Sequence, residues 1–129
     1  MLDTNIVSDL VRRPQGRVFD RIAAVNGEGV CVSIITAAEL RYGCIRKGSP
    51  RLSAQVDAFL GSIEILPFDV PADVEYGGIR AALEAGGTPI GPNDLLIAAH
   101  ARAVDATLVT ANVGEFARVG DLRVENWLA

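Results

Sequence analysis

Acidic side chains recur where the sequence predicts strands to end and helices to begin. Asp3 directly follows a very short first strand, and Glu39 lies in the first turn of the helix expected after the second strand. Asp94 opens the helix before the fourth strand, and Asn112 and Glu115 follow that strand. Ligands of open parallel sheets bind beyond the carboxyl ends of the strands. These five residues are therefore the candidates for a functional site.

Several carboxylates can share one site only if their repulsion is compensated. Two unit charges about 4 Å apart repel by roughly 4 kcal/mol at an effective dielectric of 20. A raised pKa, an arginine partner or a hard divalent cation can offset this. Zinc is disfavoured, because the chain has one histidine and its two cysteines, Cys31 and Cys44, lack Cys-x-x-Cys spacing. Carboxylate-bound Mg²⁺ or Mn²⁺ suits phosphodiester hydrolysis, because it keeps open positions for phosphate and water.

A purely structural interpretation of the same residues stays open at this point. Asp3, Glu39 and Asp94 could each favour a helix N-terminus by roughly 0.3 to 1 kcal/mol. Asn112 could be an N-cap and Glu115 a solvated surface acid. His100 is expected to be a surface or half-buried structural residue, since no metal-ligand partner lies at suitable spacing on its helix. Spacing alone leaves a metal site and coincident helix caps about equally supported.

Strand and helix patterns alternate along the whole chain. Short apolar runs predict strands at 1–2, 30–35, 63–67, 107–109 and 123–125. Helical periodicity predicts helices at 5–13, 17–25, 37–47, from 49–50 onward, 71–85, 93–104 and 112–117, the third opened by a capping box at 36–39. The sequence thus predicts a single α/β domain over residues 1–129, with a mainly parallel five-stranded sheet flanked by helices on both faces.

Charge and hydropathy restrict the possible partners and locations. The net charge of −4 is unfavourable for binding nucleic acid, but basic residues cluster in two segments, 12–21 and 41–51. No apolar stretch approaches the roughly 18 residues of a membrane helix, and no secretory signal is visible. We therefore expect a cytoplasmic protein that does not interact with membranes.

Motifs along essentially the whole chain resemble one family. They are Met-Leu-Asp-Thr-Asn-Ile at the start, Ile-Thr-Ala-Ala-Glu-Leu-Arg-Tyr-Gly, Leu-Pro-Phe-Asp, Gly-Thr-Pro-Ile-Gly-Pro-Asn-Asp-Leu-Leu-Ile-Ala-Ala-His, Leu-Val-Thr, Glu-Phe and Glu-Asn-Trp. Together they resemble a PIN domain, and more narrowly the VapC toxins of bacterial VapBC toxin–antitoxin modules. The resemblance implies a PIN-like fold and a Mg²⁺- or Mn²⁺-dependent endoribonuclease that hydrolyses cellular RNA. It also implies neutralisation by a VapB antitoxin, whose C-terminal segment reaches into the acidic groove, and assembly as a homodimer or a toxin–antitoxin hetero-oligomer.

The resemblance also assigns roles to individual residues. Asp3, Glu39 and Asp94 match the family's acids and would hold the metal, while one carboxylate accepts a proton from the attacking water. In the family a fourth acid is common after the threonine of the fourth strand, but this chain has Asn112 there. The resemblance therefore places Glu115 among the catalytic candidates, in the role of the missing acid. The remaining polar neighbours would orient waters and carboxylates: Asn5, Thr110 and Asn112.

A catalytically silent PIN-like binding module remains the alternative, because one acid of the family pattern is missing. A receiver domain is excluded, since the third strand ends in Leu66-Pro67 and Lys47 is the only lysine. The sequence further predicts a homodimer through helices at 36–62, where apolar residues exceed what one small core absorbs. These residues are Ile45, Val56, Phe59 and Leu60.

Overall fold

The structure is a computed structural model that describes residues 1–128. Helices are α1 Thr4–Arg12, α2 Arg17–Ala24, α3 Ile34–Lys47, α4 Pro50–Ser62, α5 Ala72–Ala85, α6 Pro92–Ala103 and α7 Val113–Phe116. Strands are β1 Cys31–Ser33, β2 Glu64–Leu66, β3 Leu108–Val109 and β4 Val124–Glu125. None of the helices within residues 1–128 is long and apolar enough to cross a membrane.

The sheet consists of two parallel strand pairs joined by the first residues of the chain. β1 pairs with β2 and β3 with β4, both in parallel. The Leu2 amide donates to the Cys31 carbonyl at 2.8 Å, and Leu2 forms an isolated parallel bridge with Val109. The order across the sheet is therefore β2, β1, residues 1–3, β3, β4. The prediction of a parallel α/β fold is confirmed, with a single bridge in place of the predicted first strand.

Side-chain alternation along these segments separates two hydrophobic cores. Met1, Cys31 and Leu108 point to one face and pack among residues of α5 and α6. Their immediate neighbours point to the other face and pack among residues of α1 to α4. This is the two-residue period of a strand buried on both sides. Helices therefore cover both faces of the sheet, as predicted.

The start of α3 differs from the prediction. Ser33 is the N-cap, and its hydroxyl accepts a hydrogen bond from the Ile35 amide at 3.0 Å, so the helix begins at Ile34. The predicted capping box at 36–39 and the predicted strand over 30–35 are therefore both wrong in extent. Glu39 consequently lies in the second turn of α3. The β-branched pair Ile34-Ile35 favours a strand locally, but the serine cap ends the strand two residues earlier, at Ser33.

His100 is buried, so the prediction of a surface or half-buried residue is wrong. It is 1% exposed, and its Nδ1 lies 2.7 Å from the Ser33 hydroxyl. The edge of its ring packs against Phe68 with ring centroids 5.5 Å apart. Burial lowers the pKa of His100, and the backbone carbonyl of Pro67 opposes this shift only partly. A neutral imidazole thus links α6 to the end of β1.

The apolar residues that suggested a dimer face mostly serve the core. Val56 and Leu60 are 3% and 5% exposed and belong to the core beneath α1 to α4, and Phe59 packs against that core. Of the four residues, only Ile45, at 82% exposed, projects into solvent. The prediction from excess apolar residues at 36–62 is therefore wrong for three of its four residues, because α3 and α4 pack against α1.

We predict that His100 makes stability depend on pH below about 6.5. Its pKa is lower in the folded than in the unfolded protein, so the unfolded state binds more protons as the pH falls through 6.5. The free energy of unfolding should therefore fall on acidification, by at most about 1.4 kcal/mol per pH unit from this group. The His100→Gln variant should lose this component, which urea unfolding at several pH values would measure.

The comparison is clean because His100 is the only histidine. The carboxylates titrate in both proteins, so their contribution largely cancels in the difference. Parallel pH profiles for wild type and His100→Gln would contradict the prediction.

Candidate active site

Asp3 occupies the end of the central segment of the sheet and is also the N-cap of α1. Its Oδ1 accepts from the Thr4 amide and its Oδ2 from the Thr110 hydroxyl, each at 2.7 Å. Asp3 and Thr110 lie two residues after Met1 and Leu108, which belong to the same core. Since side chains two residues apart on a strand point the same way, Asp3 and Thr110 share a face of the sheet. Burial raises the pKa of Asp3; the two hydrogen bonds oppose this shift, and the charges of Glu39 and Glu115 add to it. The carboxylate is 3% exposed.

Glu39 is held from two directions. The Thr4 hydroxyl donates to its Oε1 at 2.6 Å, and the Asn93 side-chain amide donates to its Oε2 at 3.1 Å. Thr4 begins α1, and Asn93 lies in the first turn of α6. Glu39 therefore joins α3 to both of these helix starts, which places its carboxylate at the same edge of the sheet as Asp3.

Asp94 and Glu115 form the opposite wall. Burial raises the pKa of Asp94 to about 7, and the neighbouring charges of Glu115, Asp3 and Glu39 reinforce the shift. Glu115 behaves oppositely, because the Gly91 amide donates to its Oε1 at 2.8 Å and lowers the pKa of Glu115. A side chain at Gly91 would place its Cβ 3.8 Å from an oxygen of each carboxylate. The small residue thus leaves the two acids as close neighbours.

The three predicted orienting residues lie beside these acids. Thr110 donates to Asp3 and its hydroxyl accepts from the Asn112 amide at 3.0 Å. Asn112 is the N-cap residue of α7, but its side chain makes no capping bond and donates to Glu115 Oε2. Asn5 Oδ1 accepts from the Ala111 amide at 3.3 Å. The structure therefore brings all seven sequence-predicted residues to one end of the sheet.

The acids border a groove of about 350 Å³. Its lining residues are Asp3, Thr4, Asn5, Ser8, Arg12, Glu39 and Asp94. Sequence reasoning missed Thr4, Ser8 and Asn93 as site residues. The i, i+4 spacing of Thr4, Ser8 and Arg12 on α1 could have indicated a polar helix face directed at the site. Within residues 1–128, no three acidic, histidine or cysteine side chains already have the geometry of a metal site.

The sequence matches a known protein family over most of its length. The PIN domain profile matches residues 1–122. The chain belongs to the PIN domain family.

Relatives and solved structures narrow this class. The chain is 40% identical to the tRNA(fMet)-specific endonuclease VapC of Shigella flexneri, covering 98% of this chain and 96% of the relative. It is 42% identical to ribonuclease VapC2 of Haemophilus influenzae, covering 99% and 97%. Its fold is similar to the crystal structure of VapBC2 from Rickettsia felis bound to a promoter DNA fragment, with a TM-score of 0.90, 37% identity and 98% and 97% coverage. Within the PIN family, the chain therefore groups with the VapC ribonucleases.

We predict that Asp94→Asn does not destabilise the fold. Removing one charge relieves repulsion from Glu115, Asp3 and Glu39, and this gain should outweigh a lost helix-dipole contribution of roughly 0.3 to 1 kcal/mol. The unfolding free energy at pH 8 should stay within about 0.5 kcal/mol of wild type or rise. Chemical denaturation without divalent cations measures this difference.

Asp73→Asn is the matched control. Asp73 also lies in the first turn of a helix, α5, but outside the acidic groove. Asp73→Asn should lose the helix-dipole contribution to stability without any compensating relief of charge repulsion. A destabilisation of Asp94→Asn as large as that of Asp73→Asn, or larger, would identify Asp94 as a structural helix-end residue.

Proposed function

We propose that this protein is a Mg²⁺- or Mn²⁺-dependent endoribonuclease toxin that hydrolyses phosphodiester bonds of cellular RNA and is neutralised by a VapB-type antitoxin. The observation that carries this proposal is the convergence of four carboxylates from four separate parts of the chain. Asp3, Glu39, Asp94 and Glu115 come from the central strand segment, α3, α6 and α7. Helix capping by itself gives no reason for four acids to meet at one edge of the sheet.

The donor chemistry of the groove fits a hard divalent cation. Its donors are carboxylate, hydroxyl and amide oxygens, and the charges of three neighbouring acids already oppose ionisation of Asp94. Asp3, Glu39 and Asp94 would hold the ion. When bound, it would supply Lewis-acid polarisation of the phosphate and would lower the pKa of water.

The protein's own groups hold these carboxylates in place. Thr4 links Asp3 to Glu39, through its amide and its hydroxyl respectively. The Gly91 amide and the Asn112 side chain fix Glu115 in its ionised form. One carboxylate of the groove would accept the proton of the attacking water during in-line displacement. Asn112 can offer only a neutral carbonyl oxygen, so we propose that one ion is held tightly.

Relatives suggest the substrate and the partner to test first. The VapC proteins of Shigella flexneri and Salmonella typhimurium are named tRNA(fMet)-specific endonucleases. The structure from Salmonella typhimurium, 35% identical with a TM-score of 0.88, is a DNA-bound VapBC complex. We therefore propose initiator tRNA as the substrate and a VapB-type antitoxin as the partner, in a homodimer or a hetero-oligomer.

We predict cation-dependent cleavage of initiator tRNA by the antitoxin-free protein. Cleavage should occur in Mg²⁺ or Mn²⁺ and stop in EDTA. It should fall at least about 100-fold in Asp94→Asn, a loss in the usual range for a group that handles protons or metal. Gel analysis and end mapping of the products measure it.

Asp73→Asn, purified identically, controls for contaminating nucleases and should cleave like wild type. A wild-type protein that binds its antitoxin but cleaves no tRNA in any cation would instead be the silent binding module. Equal cleavage by wild type and Asp94→Asn would show that the acidic groove is not the active site.

We predict that Asn112 and Glu115 act together on metal affinity. Asn112→Asp replaces a donor to Glu115 by an anionic oxygen, so it should lower stability without metal but tighten Mn²⁺ binding. Glu115→Ala should weaken Mn²⁺ binding in the present protein and do so less when Asp occupies position 112. Calorimetric titration of the four proteins forms a double-mutant cycle.

Thermal shift offers an independent check of the same cycle. A bound ion stabilises the native state by mass action, by about 2.7 kcal/mol at 100 times the dissociation constant. An unchanged wild-type melting temperature at millimolar Mn²⁺ would argue against the metal site. Strictly additive effects at 112 and 115 would mean that this side of the groove does not contact the ion.

A further inference from the structure

A second depression adjoins the acidic groove and has a different character. It has a volume of about 210 Å³ and lies between α1, α3 and α4, and we call it the α1–α3–α4 cleft. Thr4, Ser8, Arg12 and Glu39 line both the cleft and the acidic groove. A ligand in one depression is therefore in direct continuity with the other.

The floor of the cleft is apolar. Val11, Leu40, Cys44, Leu52 and Val56 line it, and four of them are 9% exposed or less. Typical sites for drug-sized ligands begin at about 300 Å³, so this space suits a single planar ring system better than a larger group. A nucleobase has that size and presents an apolar face.

The rim of the cleft is basic. Arg12 and Lys47 line it, and Arg46 and Arg51 lie nearby in the sequence, in the last turn of α3 and the first turn of α4. Within residues 1–128, none of these four makes an ion pair, whereas six other arginines do. The cleft thus carries two cations outside any ion pair of residues 1–128 and one carboxylate, Glu39, in a chain of net charge −4.

We propose that the α1–α3–α4 cleft is an RNA subsite, in which an unstacked base lies on the apolar floor while Arg12 and Lys47 bind the adjoining phosphates. This proposal rests on the proposed ribonuclease function and adds a means of holding substrate. The acidic groove repels a polyanion, so binding requires positive charge close to the site of cleavage. Other proteins bind single-stranded RNA by combining stacked or buried bases with a basic groove.

The charge of the rim favours RNA over a basic protein segment. Arg12 and Lys47 would repel the cationic side chains that an acidic groove attracts from a protein partner. A strand that spans both depressions, by contrast, meets complementary charge at the rim and an apolar surface beneath a base. The occupant we infer for the cleft is therefore the substrate, immediately beside the scissile phosphate.

The first experiment separates the apolar floor from the charge. A Cβ at Gly43, a residue of α3 that lines the cleft, would meet no atom within 4 Å, so Gly43→Leu fills the cleft without a backbone clash. Gly77→Leu is the matched control, because Gly77 is also helical and unobstructed but lies on α5. Both changes favour helix and should preserve the fold.

The second experiment tests the rim. Lys47→Ala removes an unpaired cation from the cleft, and Arg17→Ala removes an exposed arginine on α2 that pairs with no carboxylate within residues 1–128. The probe is a fluorescein-labelled 20-nucleotide single-stranded RNA of mixed sequence. Its anisotropy is titrated in EDTA at several salt concentrations, with gels to show that it stays intact.

We expect Gly43→Leu to weaken RNA binding at least about fivefold with an unchanged salt dependence, since base contacts in such sites are worth this much. Lys47→Ala should weaken binding and reduce the slope of log affinity against log salt by about 0.7, the value for one single-strand phosphate. Gly77→Leu and Arg17→Ala should match wild type. Initiator tRNA cleavage should fall in Gly43→Leu and Lys47→Ala.

Wild-type RNA affinity in Gly43→Leu and Lys47→Ala would overturn the proposal and assign the cleft to a protein ligand. Absence of RNA binding by the wild type would overturn it as well. A wild type that binds RNA through these residues but cleaves none would refute the proposed function alone. Cleavage by wild type and both variants at equal rates would refute the subsite alone.

Discussion

A carboxylate buried at the middle of the sheet is the constraint on which the site depends. Asp3 is withdrawn from water at the point where the central segment passes into α1, and its two oxygens are satisfied by the Thr4 amide and the Thr110 hydroxyl. An unpartnered carboxylate at this depth would be far more costly. These two bonds tie the start of α1 to the end of β3. The sheet therefore fixes the position of Asp3, and the other acids lie around it.

Charge distribution gives this protein its second organising feature. The acids gather at one edge, where burial, reinforced by their mutual repulsion, raises the pKa of Asp94 to about 7. Two cations without an ion pair in residues 1–128, Arg12 and Lys47, line the adjacent cleft at the ends of α1 and α3. A net charge of −4 therefore conceals two neighbouring surfaces of opposite sign. This arrangement is the basis for the proposed binding of RNA across both surfaces.

Asn112 stands where the sequence resemblance led us to expect a fourth acid. Its side chain donates to Glu115, which a carboxylate at the same position could not do at neutral pH. The Gly91 amide also donates to Glu115, so Glu115 stays oriented although position 112 carries no carboxylate. Asn112 therefore leaves the fold and the acids Asp3, Glu39 and Asp94 in place. It changes the charge and hydrogen bonding on the side of the site that α7 forms.

The sequence was enough to predict the order of strands and helices and the parallel sheet. It also predicted that Asp3 follows a strand and that Asp94 lies in the first turn of a helix. Apolar periodicity and the residues at strand ends can be recognised in short stretches of sequence, because they do not depend on distant parts of the chain. Three features could not be predicted: the start of α3, the burial of His100 and the core positions of Val56 and Leu60. The last two depend on partners distant in the chain, such as Ser33 for His100, 67 residues away. The start of α3 depends on which nearby hydroxyl caps the helix, and Ser33, which does so, also contacts His100. The sequence by itself determined which groups are available for chemistry. Only the tertiary structure decided which of them share a groove, because neither charge repulsion nor packing acts until distant segments meet.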